Sequence, residues 1–218
     1  MTTYFSINLD SVHLWCVNLS DFFSQEGCFF QLLQPDEQLR AERLPVEAKQ
    51  RFVLARGFLR KILSLYTGQD PLQLAFFYSD KGKPFLKNNP IDIQFNVSHS
   101  ENLALYGFTL KKPIGVDIQK KYPMINMKIA ERFFNAEELR LLKKSASEMQ
   151  SDVFYVLWTQ KEAQVKASGV GIFGQSSNTA WTIQTYPVHE AYAAAFATLA
   201  PVSQIISYRW DVDGYLYE

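Results

Sequence analysis

The stretch Ile91-Asp-Ile-Gln-Phe-Asn-Val-Ser-His-Ser-Glu-Asn-Leu-Ala-Leu-Tyr-Gly-Phe-Thr-Leu110 decides the fold class. Residues 91–97 and 103–110 alternate like paired strands, and the polar run Ser98-His-Ser-Glu-Asn102 reads as the loop that joins them. Outward from this pair, residues 114–118 form another short apolar strand, and residues 72–78 and 12–17 read as strands as well. Gly82 and Pro84 punctuate the turn Ser79-Asp-Lys-Gly-Lys-Pro84. Between the strands lie helices. Pro35 opens an acidic-then-basic helical stretch, 36–43. Pro45 starts a longer helix to about Tyr66, stopped by Thr67-Gly68, with Phe52, Ala55, Leu59 and Ile62 at helical spacing. In the second half, residues 126–134 read as helix. Asn135-Ala-Glu-Glu138 is a capping box for a helix to about Lys144, and a further helix starts at Ser151 or Asp152. Apolar runs at 180–186, 191–198 and 204–210 read as strands. The order is strand, helix, strands, then helices, strands. That is an α+β chain whose halves, 1–110 and 111–218, have similar sizes and ingredients.

Composition narrows the function. The 218 residues are 47% hydrophobic, enough for a full core, and 22 basic side chains cancel 22 acidic ones. No long-range field draws the chain to nucleic acid or to a membrane surface, so an anion site has to be local. No apolar run approaches the ~20 residues of a membrane span, and no signal-peptide pattern opens the chain. Cys16 and Cys28 make no metal or redox motif, which fits a reducing, cytoplasmic setting.

Three clusters carry chemistry. On the helix Phe154-Tyr-Val-Leu-Trp-Thr-Gln-Lys-Glu-Ala-Gln-Val-Lys-Ala-Ser-Gly169, Trp158, Glu162 and Lys166 recur every four residues and share a face; Lys161 reaches around it. Gly169 ends that helix, and Gly171 follows. Asp117 sits in an apolar strand between Val116 and Ile118, a place for a carboxylate only if it points at something. His99, between two serines, offers a donor to an anion, as do Arg51, Arg56, Lys83, Lys161 and Lys166. Two carboxylates amid cations suit Mg²⁺ with a polyphosphate, because Mg²⁺ takes one or two carboxylates and completes its shell with phosphate oxygens and water.

The order Lys83-Pro84, Phe95-Asn-Val-Ser-His99, Gly115-Val-Asp117 and Trp158-x-x-Lys161-Glu162-x-x-x-Lys166-x-x-Gly169 resembles that of 4′-phosphopantetheinyl transferases of the surfactin-synthetase-activating type, over about residues 35–175. The resemblance implies a pseudo-dimer of two similar α+β subdomains with the active site between them. It also implies a cytoplasmic monomer that needs no partner subunit. The implied reaction moves the phosphopantetheine arm of coenzyme A onto a serine of an acyl or peptidyl carrier protein, a holo-acyl-carrier-protein synthase activity that releases 3′,5′-ADP. By motif position, Asp117 and Glu162 would ligate Mg²⁺, with Gln119 joining directly or through a water. Glu162 would be the base and Lys166 would meet the diphosphate. Ser98 and His99 would hold the 3′-phosphate, Lys83 and Pro84 the adenine side, and Arg51, Arg56 and Lys161 other parts of the nucleotide. Many relatives carry Gly-x-Asp-x-Glu where this chain has Gly115-Val-Asp-Ile-Gln119, so one negative charge is missing. The helical region 126–145, near Met124, Ile125, Met127 and Phe134, is the expected carrier-docking surface.

Each residue also has a plainer role. Glu162 and Lys166 form a favourable helical i,i+4 pair; Asp117 fits a turn cap; Glu138 fits the N3 position of the capping box, which is our reading; Arg56 and Arg60 fit surface charges; Trp158 and Phe133-Phe134 fit core. His13 and His189 show no partner pattern. The competing function class is a coenzyme A- or carrier-binding module without transfer activity, which Gln119 alone favours. A nucleotide hydrolase lacks the Gly-x-x-x-x-Gly-Lys-Ser/Thr loop.

Overall fold

The computed structural model describes residues 5–80, 82–169, 180–212 and 214–217; Gly171 of the helix motif lies outside them. Ten strands and six α-helices are described: β1 Ser11–Asn18, α1 Glu26–Phe30, α2 Pro35–Glu42, α3 Val46–Thr67, β2 Phe76–Tyr78, β3 Pro84–Leu86, β4 Ile93–Ser100, β5 Leu103–Leu110, β6 Ile114–Lys120, α4 Met127–Phe133, α5 Ala136–Lys144, α6 Gln150–Ser168, β7 Trp181–Thr185, β8 Tyr192–Leu199, β9 Gln204–Asp211 and β10 Gly214–Tyr217. The mixed α+β class expected from the sequence is the class observed. Three expectations need correcting. The strand expected at 72–78 keeps only its last three residues. Ser98, His99 and Ser100 extend β4 rather than forming a loop, so the turn shrinks to Glu101-Asn102. The short α1, β3 and the terminal β10, with few residues to show a period, were not anticipated.

Two sheets stack between two long helices. The first has the order β10-β9-β1-β5-β4, the second β6-β8-β7. β1 pairs antiparallel with β5 and parallel with β9, so the last two strands return to the sheet of the first half. Strand periodicity then sorts the side chains. His13, Trp15 and Val17 of β1 face α3, where Phe58, Leu59 and Ile62 complete the larger core. Val12 and Leu14 face the other way, onto Ile114, Val116 and Ile118 of β6 and Phe196 of β8. The remaining face of β6 carries Gly115, Asp117 and Gln119 toward α6. Gly115 is there because nothing larger fits: an added Cβ would lie 2.0 Å from the Ala163 carbonyl oxygen and 2.4 Å from the Ala167 nitrogen. Ala163, Ala167, Ala195 and Ala197 keep that packing close.

The seam between the sheets is stitched by side chains. β8 pairs with one edge of β6. On the other edge, the amides of Val116, Ile118 and Lys120 donate to Asn96 Oδ1 (2.9 Å), Ser98 Oγ (3.3 Å) and Ser100 Oγ (3.0 Å) of β4. Three polar side chains two residues apart thus satisfy donors that an unpaired edge would leave open. The serines flanking His99 belong to this stitch.

Candidate active site

α6 begins at Gln150 and ends where Gly169, at φ 70°, adopts the left-handed conformation and donates its amide to the Val165 carbonyl. Its small residues press against β6 and β8. That contact brings the Glu162–Lys166 face over the polar side of β6. Asp117 is 1% exposed. Its Oδ1 accepts from Ser98 Oγ at 2.9 Å and from Lys166 Nζ at 2.7 Å; its Oδ2 accepts from Gln119 Nε2 at 3.2 Å. Lys166 Nζ also donates to Ser98 Oγ at 2.9 Å. Glu162 stands one turn before Lys166, half-buried. Burial first, and the Asp117 carboxylate second, hold its pKa above the usual carboxylate range, with Lys166 opposing them. Asp117, Glu162 and Lys166 are therefore brought together as expected, and Asp117 lies within its strand rather than capping a turn.

The donor set fits Mg²⁺. Two carboxylates near enough to raise the proton affinity of one of them form a local excess of negative charge that a divalent cation relieves. Gln119 gives its amide nitrogen to Asp117, which leaves its carbonyl oxygen for a metal or a metal-bound water.

A cleft of about 680 Å³ opens beside this cluster, lined by Lys83, Pro84, Phe85, Val97, Lys166 and Gly169 among others. It runs into a smaller cavity of about 180 Å³ that shares Pro84 and Val97 and adds Arg40, Arg56 and His99. From there it reaches one of about 390 Å³ holding Arg40, Arg51, His99 and Glu101. The result is a groove with cations along its length. His99 sits at the junction. Although its side chain reaches the surface, desolvation by the groove walls lowers its pKa first, followed by the charges of Lys166, Arg51 and Arg56.

Not every expected residue faces the groove freely. Ser98 points into the Asp117–Lys166 pair, so it positions that pair rather than standing open to a 3′-phosphate. Lys83 lines the cleft, but its Nζ donates to the carbonyls of Ile114 (3.2 Å) and Lys166 (3.0 Å). Burial lowers its pKa to about 8. Lys161 turns to Glu138, Nζ to Oε2 at 2.8 Å. Glu138 keeps its capping role through the Asn135 amide at 2.7 Å, so the cap and the pair coexist. Arg51 donates to Asn102 Oδ1 at 3.0 Å and faces Glu47 and Glu101 at 3.6 Å each. Arg60, read as a candidate surface charge, is 0% exposed and salt-bridged to Glu37. Trp158 packs on Phe133 and Phe154. Arg40 was missed. It is the basic end of the helix after Pro35, and its guanidinium stands 5.0 Å from the Phe52 ring centre. A basic residue in the last turn of the helix was the only signal.

Profiles of known families match both halves of the chain. Residues 23–107 match the N-terminal 4′-phosphopantetheinyl transferase family, and residues 113–208 match the 4′-phosphopantetheinyl transferase superfamily. The 4′-phosphopantetheinyl transferase HetI of Nostoc sp. is 39% identical over 167 residues, covering 75% of this chain and 70% of the relative. The 4′-phosphopantetheinyl transferase psf-1 of Bacillus pumilus is 32% identical over 180 residues, 74% of this chain and 76% of its own. For Sfp of Bacillus subtilis the figures are 32% over 145 residues, 66% and 63%. The chain belongs to the 4′-phosphopantetheinyl transferase family, in its surfactin-synthetase-activating type.

Proposed function

We propose that this protein transfers 4′-phosphopantetheine from coenzyme A to a serine hydroxyl of an acyl or peptidyl carrier protein, with Mg²⁺, releasing 3′,5′-ADP. The observation that carries the reading is the convergence of Asp117, Glu162 and Lys166 at the head of a cationic groove. The reaction forms a bond between the serine oxygen and the β-phosphorus. It breaks the bond from that phosphorus to the oxygen that leaves with 3′,5′-ADP. Glu162, half-buried beside Asp117, takes the serine proton directly or through a water. Lys166 exchanges its hold on Asp117 for the diphosphate and neutralises the charge that builds on the leaving group. Ser98 fixes the Asp117 carboxylate from below. Asp117 and Glu162, with the Gln119 carbonyl, hold the metal, which when bound supplies charge neutralisation and Lewis acidity at the diphosphate. Arg40, Arg51, Arg56 and His99 receive the nucleotide phosphates.

Of the residues expected to dock the carrier, Phe134 is buried and Ile125 and Met127 pack on its core, whereas Met124 (88% exposed), with Tyr122 (46%) and Leu141 (54%), presents apolar surface, and we assign carrier docking to it. We also read the protein as a cytoplasmic monomer; no described helix is long and apolar enough to cross a membrane. The test is the mass of apo acyl carrier protein after incubation with this protein, coenzyme A and Mg²⁺. The expected result is a gain of one phosphopantetheine arm, abolished by EDTA and by Glu162→Ala. No gain on several carriers, with coenzyme A still bound, would leave a binding module instead.

A further inference from the structure

We infer that Glu37 is a positioning residue that sets Arg56 in the groove to meet a phosphate, an inference that rests on coenzyme A being the ligand. Glu37 is 2% exposed on the first turn of α2. The two oxygens of its carboxylate have different tasks. Oε2 takes the Arg60 guanidinium, at 2.6 Å from Nη2 and 3.1 Å from Nε, and the Gln34 amide at 3.1 Å. Arg60 is closed off by this pair together with the carbonyls of Leu74 (2.6 Å) and Pro71 (3.1 Å). That half of the arrangement locks α2 to α3 and to the chain leading into β2. It leaves no spare charge.

Oε1 is turned to the groove side. It accepts from the Tyr78 hydroxyl at 3.3 Å and faces Arg56 Nε at 3.7 Å. The Arg56 guanidinium lies 5.4 Å from the Tyr78 ring centre and 5.9 Å from that of Phe52. Two aromatic faces and one carboxylate edge therefore confine an arginine that would otherwise sample many rotamers. Arg56 borders the same cavity as His99, and its charge contributes to the lowered pKa there. Only Nε is committed to Glu37, so the two terminal nitrogens keep the planar fork that suits phosphate oxygens. The Glu37–Arg60 pair is neutral as a unit, so Arg56 keeps its charge for the ligand. An ordered cation binds an anion more tightly than a mobile one because less side-chain freedom is lost on binding.

The test compares wild type, Glu37→Gln, Arg56→Ala, the combination of those two, and Glu37→Gln/Arg60→Met. The last removes both members of the buried pair, so no orphaned charge remains if Glu37→Gln alone fails to fold. Affinity for coenzyme A is measured by calorimetry well below each melting temperature, and turnover at saturating coenzyme A with apo carrier protein. Loss of Glu37 should weaken coenzyme A binding about tenfold, ~1.4 kcal/mol. The carrier KM should be unchanged and kcat should stay within about twofold. Glu37→Gln should add little to Arg56→Ala, because it acts through that arginine. Dephospho-coenzyme A assigns the contact: a loss confined to coenzyme A places Arg56 on the 3′-phosphate, and an equal loss with both places it on the diphosphate, either of which upholds the inference. Unchanged affinity in a folded Glu37 variant, or losses that simply add to Arg56→Ala, would overturn it. A wild-type protein that binds no coenzyme A would instead remove the functional reading itself.

Discussion

Each half of the molecule buries one carboxylate against one cation, and the two pairs differ in how they close. Glu37 and Arg60 have side-chain exposures of 3% and 0%, and four hydrogen bonds occupy four of the five N–H donors of the guanidinium. Asp117 is as deep, at 2%, but its partner Lys166 is 28% exposed and borders the cleft. Arginine is planar and donates through a fixed fork, which suits a permanent lock. Lysine is a point charge on a flexible stem, which suits an exchange of partners. Nearly the same charge motif thus serves as scaffold on one side and, in the reaction we propose, as machinery on the other.

The comparison breaks most sharply with substitutions at the machinery. Glu162→Gln should lower turnover by roughly 10²- to 10⁴-fold, the range for a lost general base. Its melting temperature should stay near wild type, since Glu162 is only half-buried. Steady-state transfer and a thermal melt check both, and a variant with full turnover would exclude Glu162 as the base. At the lock the effect moves to stability. Arg60→Met leaves the buried Glu37 with only the 3.7 Å approach of Arg56 and should cost up to about 3–5 kcal/mol, read from the shift in urea midpoint. Lys166→Met should cost less stability than Arg60→Met yet abolish transfer, because water reaches the Lys166 side of its pair. Equal destabilisation by the two would mean that the difference in closure has no energetic weight.

How far the sequence revealed this follows from what each residue needs in order to be recognised. The β4–β5 pair and α3 were legible because their patterns are local and repeat. Asp117, Glu162 and Lys166 were legible because a charge in an apolar strand, or a face of charges on a helix, is itself a departure from pattern. Arg60 was not, because the carboxylate that closes it lies 23 positions away on another helix. The direction of Ser98 was hidden for a similar reason: β6 had to lie edge-on against β4 before that hydroxyl met Asp117. Lys161 illustrates the limit of spacing, since its sequence neighbours placed it beside Glu162 while α5 supplied its ion-pair partner, Glu138.

A third buried group sharpens the contrast because it carries no partner charge at all. His13 is 1% exposed, and burial lowers its pKa to about 4. The Tyr66 hydroxyl accepts from Trp15 Nε1 at 2.9 Å and shares a 2.8 Å hydrogen bond with His13 Nδ1, a contact that suits a neutral imidazole. The folded-state value lies below the unfolded 6.5, so the unfolded chain binds more protons between them. Stability is therefore intact above about pH 6.5 and falls as the pH drops toward about 4. At ~1.36 kcal/mol per pH unit the loss is on the order of 3 kcal/mol. Urea midpoints between pH 7.5 and 4.5 measure it. His13→Gln, which can still accept from Tyr66, should flatten that part of the profile; an identical acid slope would assign the loss to other groups.

The smallest expected effect concerns Glu138, which like Glu37 both caps a helix and holds a cation, but at the surface. Glu138 accepts from the Asn135 amide and pairs with Lys161 on the same oxygen. Glu138→Gln keeps an oxygen for the cap but drops the charge. Both side chains are partly exposed, so stability should change by no more than about 1 kcal/mol. The informative readout is the KM for coenzyme A. If Lys161 is held away from the nucleotide by Glu138, releasing it should leave that KM unchanged or lower it, by giving the groove one more mobile cation. If Lys161 needs the pair in order to reach the ligand, the KM should rise. A rise would restore Lys161 to the nucleotide contacts and make Glu138 its support, the part we assign to Glu37 for Arg56.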